Sequence, residues 1–283
     1  MFENVYDVDN CIHIKLVNRA DEEVERIVAE TKTSTHDAKN AFHWHEVNGK
    51  YYRFKFSNRL YTILNELIGP KIAKRLELQT VNNIPAIMDC GKNMTLYGIL
   101  SENFMNKDSE YVNMFELGFN QKTKPDYKNI TKLKKYCRVE DYPELINAIF
   151  KMTSLDYVMG QADRVSANFL FEKNGDKTTF APLFDYAEAY ECIKEGCVFD
   201  RYHNRNLPYS VGNSFIAPAF YESKFKRILR KYPNFEKYLE KISELEIIEI
   251  LEEIEKENNL KLSDECKRYY DVRTKEKQSG LIF

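Results

Sequence analysis

The chain predicts an α+β fold in two lobes, a sheet-rich one over residues 1–104 and a mostly helical one over residues 105–283. Three observations predict it. Strand-like alternation and an Asn48-Gly49 turn mark the first lobe. A helical pattern starts near Pro143 and runs to Met159, and charged helical stretches fill 221–270. Between these helical parts lies a second hairpin pattern.

Residues 12–17 alternate as a strand, 21–30 read as a short acidic helix, and 31–41 as a polar loop. Asn48-Gly49 suits a type I′ turn, and the strand after it, Tyr51–Phe56, puts Tyr52, Phe54 and Phe56 on one face and Tyr51, Arg53 and Lys55 on the other. A helix follows from about Asn58, with Leu60, Ile63, Leu64, Leu67 and Ile68 as its apolar stripe and Glu66 off that stripe. Gly69-Pro70 should kink or divide it before Leu76. Strands are expected near 84–89 and 93–100, around a Cys90-Gly91 turn. After Asn106 comes a polar, Lys-rich stretch to about residue 140, of which 121–138 reads as a solvated linker face, with the steering of an anionic partner as the alternative. Pro143 suits the first turn of the next helix, whose core face is Leu145, Ile146, Ile149, Met152 and Leu155. Strands at 168–172 and 178–183 make the second hairpin, around Asn174-Gly175.

With 283 residues, 43% hydrophobic and 13% aromatic, the chain can bury a substantial core. A net charge of −2 points away from a protein that coats nucleic acid. No apolar run is long enough to cross a bilayer, and Met1-Phe-Glu-Asn4 does not start a signal peptide, so a cytoplasmic protein is expected, with no membrane partner. The six cysteines form no Cys-x-x-Cys pair and read as reduced thiols. His43 and His45 share a strand face without a third ligand at metal spacing.

The chemistry concentrates in Asp163-x-x-x-x-Asn168 and in Asp185, which ends the approach Phe180-Ala-Pro-Leu-Phe184. An Asp and an Asn at that spacing across a tight loop can converge on one point, the Asp at a substrate hydroxyl and the Asn at a metal on phosphates. A carboxylate at the end of a hairpin strand, folded back beside that loop, can complete the metal site. This set of groups is the one that ATP-dependent phosphoryl transfer needs.

Gly160-Gln-Ala-Asp163-Arg164 with Asn168, then Ala181-Pro-Leu-Phe-Asp185, resembles the HipA-like serine/threonine kinase family, and at motif level the phosphoinositide 3/4-kinases, whose loop also reads G-x-x-D-R-x-x-x-N. The resemblance covers roughly residues 40–230. It implies a protein-kinase-like fold. It implies Asp163 as catalytic base, Asn168 and Asp185 as Mg²⁺ ligands, and Lys55 on the ATP phosphates with Glu66 as its helix partner. It also implies an adenine pocket along Ser101, Glu102, Asn103 and Phe104, bonded through their backbone. Three departures stand out. Val165 occupies the place of a common histidine. No glycine-rich loop precedes Lys55; its counterpart is Thr33–Lys39, where Ser34, Thr35 and Lys39 would grip phosphate with side chains. The region starts so soon in the chain that the likeness is to the family's short stand-alone kinases.

The expected activity is therefore that of an ATP- and Mg²⁺-dependent protein serine/threonine kinase acting on a protein hydroxyl, with an antitoxin or other protein as partner and no direct nucleic-acid contact. Two alternatives stay open. A pseudokinase or nucleotide-binding scaffold would fit Val165 and the glycine-free loop. A lipid kinase would share the loop, although the acidic residues Glu188, Glu191, Glu195 and Asp200 after Asp185 suit an anionic lipid poorly.

Overall fold

The computed structural model describes residues 5–7, 9–15, 44–57, 59–91, 95–106, 108–113, 132–161, 164, 168, 170–190 and 230–279. The expected acidic helix at 21–30, the phosphate-gripping stretch 33–39, most of the Lys-rich linker and Asp163 lie outside the described residues.

Five strands form the first sheet: β1 (Ile12–Lys15), β2 (Trp44–Val47), β3 (Lys50–Phe56), β4 (Asn83–Asp89) and β5 (Thr95–Glu102), in the order β1-β4-β5-β3-β2. β1 runs parallel to β4 and the remaining neighbours are antiparallel. The β2–β3 turn is Asn48-Gly49, as expected, with φ of 53° and 76°, the left-handed values a type I′ turn requires. The period of two on β3 holds. Tyr52 and Phe54 enter a cluster with Ile14, Ala86, Met88 and Leu100 on one sheet face, while Lys55 points to the other. β5 passes very close to β3 at Gly98, where a Cβ would lie 2.2 Å from the Lys55 carbonyl oxygen.

Helix α1 (Leu60–Arg75) covers that second face. It is buried on nearly every side, Asn65, Glu66, Gly69 and Pro70 included. An all-round buried helix is one that other elements surround. The sheet lies on one side of it, and α2 (Tyr142–Met159) and α4 (Ile247–Asn258) on the others. Gly69-Pro70 does not divide the helix, which runs through both residues. Pro70 has no N–H to give the Glu66 carbonyl, and Asn83 Nδ2 donates to that oxygen instead, at 2.6 Å.

A second sheet, in the order β6-β7-β8, joins β6 (Glu110–Asn113), β7 (Leu170–Asn174) and β8 (Lys177–Phe180). The hairpin turn is Gly175-Asp176, one residue later than expected, because Asn174 pairs with Lys177 on the ladder. β6 lies in the polar stretch after Asn106, where the sequence pattern predicts no strand. After β8 the chain runs beside 79–81, with Leu183 N–H donating to Gln79 O and Val81 N–H to Leu183 O. That pairing ties the second sheet to the end of α1.

Among the described residues the further α-helices are α3 (Glu236–Ser243), α4, and α5 (Asp264–Ser279). α2 ends in Gly160 at φ 58°, a left-handed cap that turns the chain out of the helix toward Gln161. α5 reaches back across the molecule: Tyr270 Oη donates to Asn65 Oδ1 at 3.0 Å and Tyr269 Oη to the Tyr190 carbonyl at 2.5 Å. One large core unites α1, α2, α3, α4 and α5.

Candidate active site

Lys55 stands on β3 facing α1. Its Nζ lies 2.9 Å from Glu66 Oε1 and 3.8 Å from Asp185 Oδ1. Residues from a strand, a helix and the segment after a hairpin therefore meet at one ammonium. Glu66, off the apolar stripe, is nevertheless buried at 3% exposure, because α1 is enclosed on all sides from Ile63 to Pro70. Burial pulls the Lys55 pKa down, but Glu66 and Asp185 outweigh it and the net shift is upward, so the lysine is charged at neutral pH.

Asp185 is held through the peptide group that follows it, at both its ends. Its carbonyl accepts from Gln161 Nε2 at 3.0 Å, and the following N–H, of Tyr186, donates to Glu66 Oε2 at 3.2 Å. Its φ is 61°. A left-handed non-glycine residue costs about 1 kcal/mol or more, and such strain persists where neighbours enforce it. Here the enforcement aims a carboxylate at Lys55. The Tyr186 ring beyond it is fully buried and packs on Gly69 of α1, where a Cβ would lie 2.2 Å from ring Cγ. Tyr186 Oη also shares a hydrogen bond with Thr80 Oγ1 at 2.7 Å.

Asn168 enters through Arg164. Arg164 Nη1 donates to the carbonyls of Asn168 at 3.1 Å and of Phe184 at 2.7 Å, so one nitrogen draws Asn168 to the residue before Asp185. Arg164 Nε also pairs with Asp156 of α2 at 3.2 Å, with both side chains sealed from solvent. Burial pushes the Asp156 carboxyl up to about 6 against the pull of Arg164, which still leaves it ionised at neutral pH. The guanidinium faces the Tyr186 ring at 5.3 Å.

Along Ser101–Phe104 the backbone is partly engaged within the protein. The Glu102 N–H donates to Asn82 O and the Asn103 N–H to Tyr51 O. No described residue takes the Phe104 N–H. The Phe104 ring stacks on Phe184 with centroids 5.9 Å apart, joining this stretch to the approach to Asp185.

Thus Lys55, Glu66 and Asp185 are brought together, with Asn168 tied to them through Arg164. Ser34, Thr35, Lys39 and Asp163 fall outside the described residues. Sequence reasoning passed over Asn83, Arg164 and Tyr186 as supports. Only Arg164 and Tyr186 stood next to motif residues. For Asn83 the signal was a proline inside a helical pattern, which calls for a substitute donor.

No protein-family model matches the sequence, and no curated protein matches it either. Solved structures do share the fold. A Helicobacter pylori proinflammatory kinase, CtkA, superposes with a TM-score of 0.53 at 14% identity, covering 83% of this chain and 89% of that one. HipA of Shewanella oneidensis MR-1, from a toxin–antitoxin complex with HipB and operator DNA, gives 0.59 at 14% identity, covering 92% of this chain and 70% of that one. The fold is therefore a HipA-like kinase fold, with a sheet-rich N-terminal part and a helical C-terminal part.

Proposed function

We propose that the chain is an ATP- and Mg²⁺-dependent protein serine/threonine kinase of two lobes, 1–104 and 105–283. The observation that carries this is the Lys55 ammonium, 2.9 Å from Glu66 and 3.8 Å from Asp185 on a HipA-like fold. Glu66 fixes the lysine, which holds the α/β-phosphates. The Phe104 N–H is the hinge donor for adenine, and the Phe104–Phe184 stack walls the pocket. The Asp185 carboxylate, 13% exposed, and Asn168 suit a hard divalent cation, which takes oxygen ligands. A Mg²⁺ held there would neutralise charge developing on the phosphates. Asp163 orients the attacking hydroxyl, whose proton it accepts as the γ-phosphoryl moves in line.

A held lysine–carboxylate set and a strained Asp185 favour an active enzyme over a scaffold that merely kept the fold. HipA of Shewanella is seen with HipB, and a dedicated protein partner belongs to this proposal as well. The test is γ-phosphate transfer from labelled Mg-ATP to the protein itself and to a generic basic protein, by wild type, Asp163→Ala and Asp185→Ala. Transfer by wild type and loss in both variants is expected. Nucleotide binding without transfer to any substrate would turn the assignment to a pseudokinase.

A further inference from the structure

Pro70 leaves one carbonyl of α1 without a helical donor, and it is the carbonyl of Glu66, four residues earlier. Asn83, the first residue of β4 and 9% exposed, supplies the donor through Nδ2 at 2.6 Å. The same Nδ2 lies 3.4 Å from Glu66 Oε2. One amide thus touches both the backbone and the carboxylate of the residue that holds Lys55. Asn83 Oδ1 is buried and meets no hydrogen-bond partner among the described residues. A buried acceptor left unmade is costly, so the donor end must more than offset it.

The surroundings of Glu66 are fixed just as firmly. Oε1 faces Lys55, and Oε2 takes the Tyr186 N–H. Next in the chain, Asn65 Nδ2 donates to the Ala187 and Ala189 carbonyls at 3.0 and 2.6 Å, and Tyr270 holds its Oδ1. Gly69 lets the Tyr186 ring lie against the helix with no room for a Cβ. A helix that swings its glutamate toward and away from a lysine would need these contacts to break together.

We infer that Asn83 is a positioning residue for the Lys55–Glu66 pair, that Pro70 frees the carbonyl it grips, and that together they make α1 a fixed support for Glu66. The inference rests on the nucleotide-binding reading of Lys55. It separates two effects of one amide. Capping the Glu66 carbonyl stabilises the helix, and a backbone N–H restored by Pro70→Ala can replace that. Aiming the carboxylate serves phosphate binding, and the restored N–H cannot replace that.

The experiment is a double-mutant cycle of Asn83→Leu and Pro70→Ala. It reads the melting temperature and the affinity for Mg²⁺ with a non-hydrolysable ATP analogue. Asn83→Leu is expected to lower the melting temperature and weaken binding by about tenfold, the loss of one buried hydrogen bond. Adding Pro70→Ala returns most of the melting temperature and leaves binding weak. If Asn83→Leu alone does not fold, the comparison of the double variant with Pro70→Ala carries the test, with weaker binding at similar melting temperature as the expected result. Equal binding in that comparison, or recovery of binding together with stability, overturns the positioning role. Wild type that binds no analogue overturns the nucleotide reading itself, and the positioning role with it, and is recognised from wild type alone.

Discussion

Lys55 and Arg164 are both cations paired with carboxylates, and both belong to the same site, yet they are built differently. Lys55 keeps 27% of its side chain exposed and lies between Glu66 and Asp185. Arg164 and Asp156 have no exposure at all. Lysine presents a compact charge on a flexible stem, which a phosphate can share. Arginine presents a rigid fork of donors, and Arg164 spends Nε on Asp156 and Nη1 on the carbonyls of Asn168 and Phe184. Exposure and bonding together sort the charges of a site. The cation with an open side and two competing carboxylates is available to a ligand. The sealed one, bonded to main chain on two loops, is a joint.

The largest expected effect breaks the joint. Arg164→Met leaves Asp156 buried and unpaired and releases two carbonyls, and should cost about 3–5 kcal/mol of stability, read by chemical denaturation. A loss below about 1 kcal/mol would mean that the pair and its carbonyl bonds contribute little.

Next comes the open cation. Lys55→Met should change stability by no more than about 1–2 kcal/mol, because Glu66 keeps the Tyr186 N–H and Asn83 as partners. Phosphoryl transfer should nevertheless fall by about a hundredfold or more, as when a donor to developing charge is removed. If the two substitutions affect stability and transfer in the same proportion, the distinction between ligand site and joint is gone.

The smallest effect concerns pH. Folding raises the Asp156 carboxyl from 3.8 to about 6. The protonated form is therefore favoured in the folded state. Its contribution to stability is complete below the ordinary carboxylate pKa and is lost as pH rises through about 6. Asp156→Asn should remove that slope from a plot of stability against pH between the two values. An unchanged slope would assign it to other groups.

Local chemistry was legible where local chemistry decides. The Asn48-Gly49 turn, the faces of β3 and the Pro143 start of α2 follow from residues close in sequence. The unbroken course through Pro70 does not, because the compensating donor, Asn83, comes from a strand the helix has not yet met. β6 is four residues, Glu-Tyr-Val-Asn, in a polar stretch, and it is a strand because β7 pairs with it. The burial of Glu66 was hidden for a related reason. A stripe tells which face is most apolar, not that the opposite face is covered too. At the site, Asp185 and Lys55 could be picked out by motif, whereas the role of Arg164 depends on where two carbonyl oxygens come to lie.

The Tyr270–Asn65 hydrogen bond spans 205 positions of the chain. During synthesis the helix that carries Glu66 leaves the ribosome long before the residue that anchors its neighbour. At roughly 5–20 residues per second the interval is on the order of ten seconds or more. Through that interval the nascent chain carries Lys55 and Glu66 without the α5 clamp, so the support around Glu66 is assembled only once α5 docks.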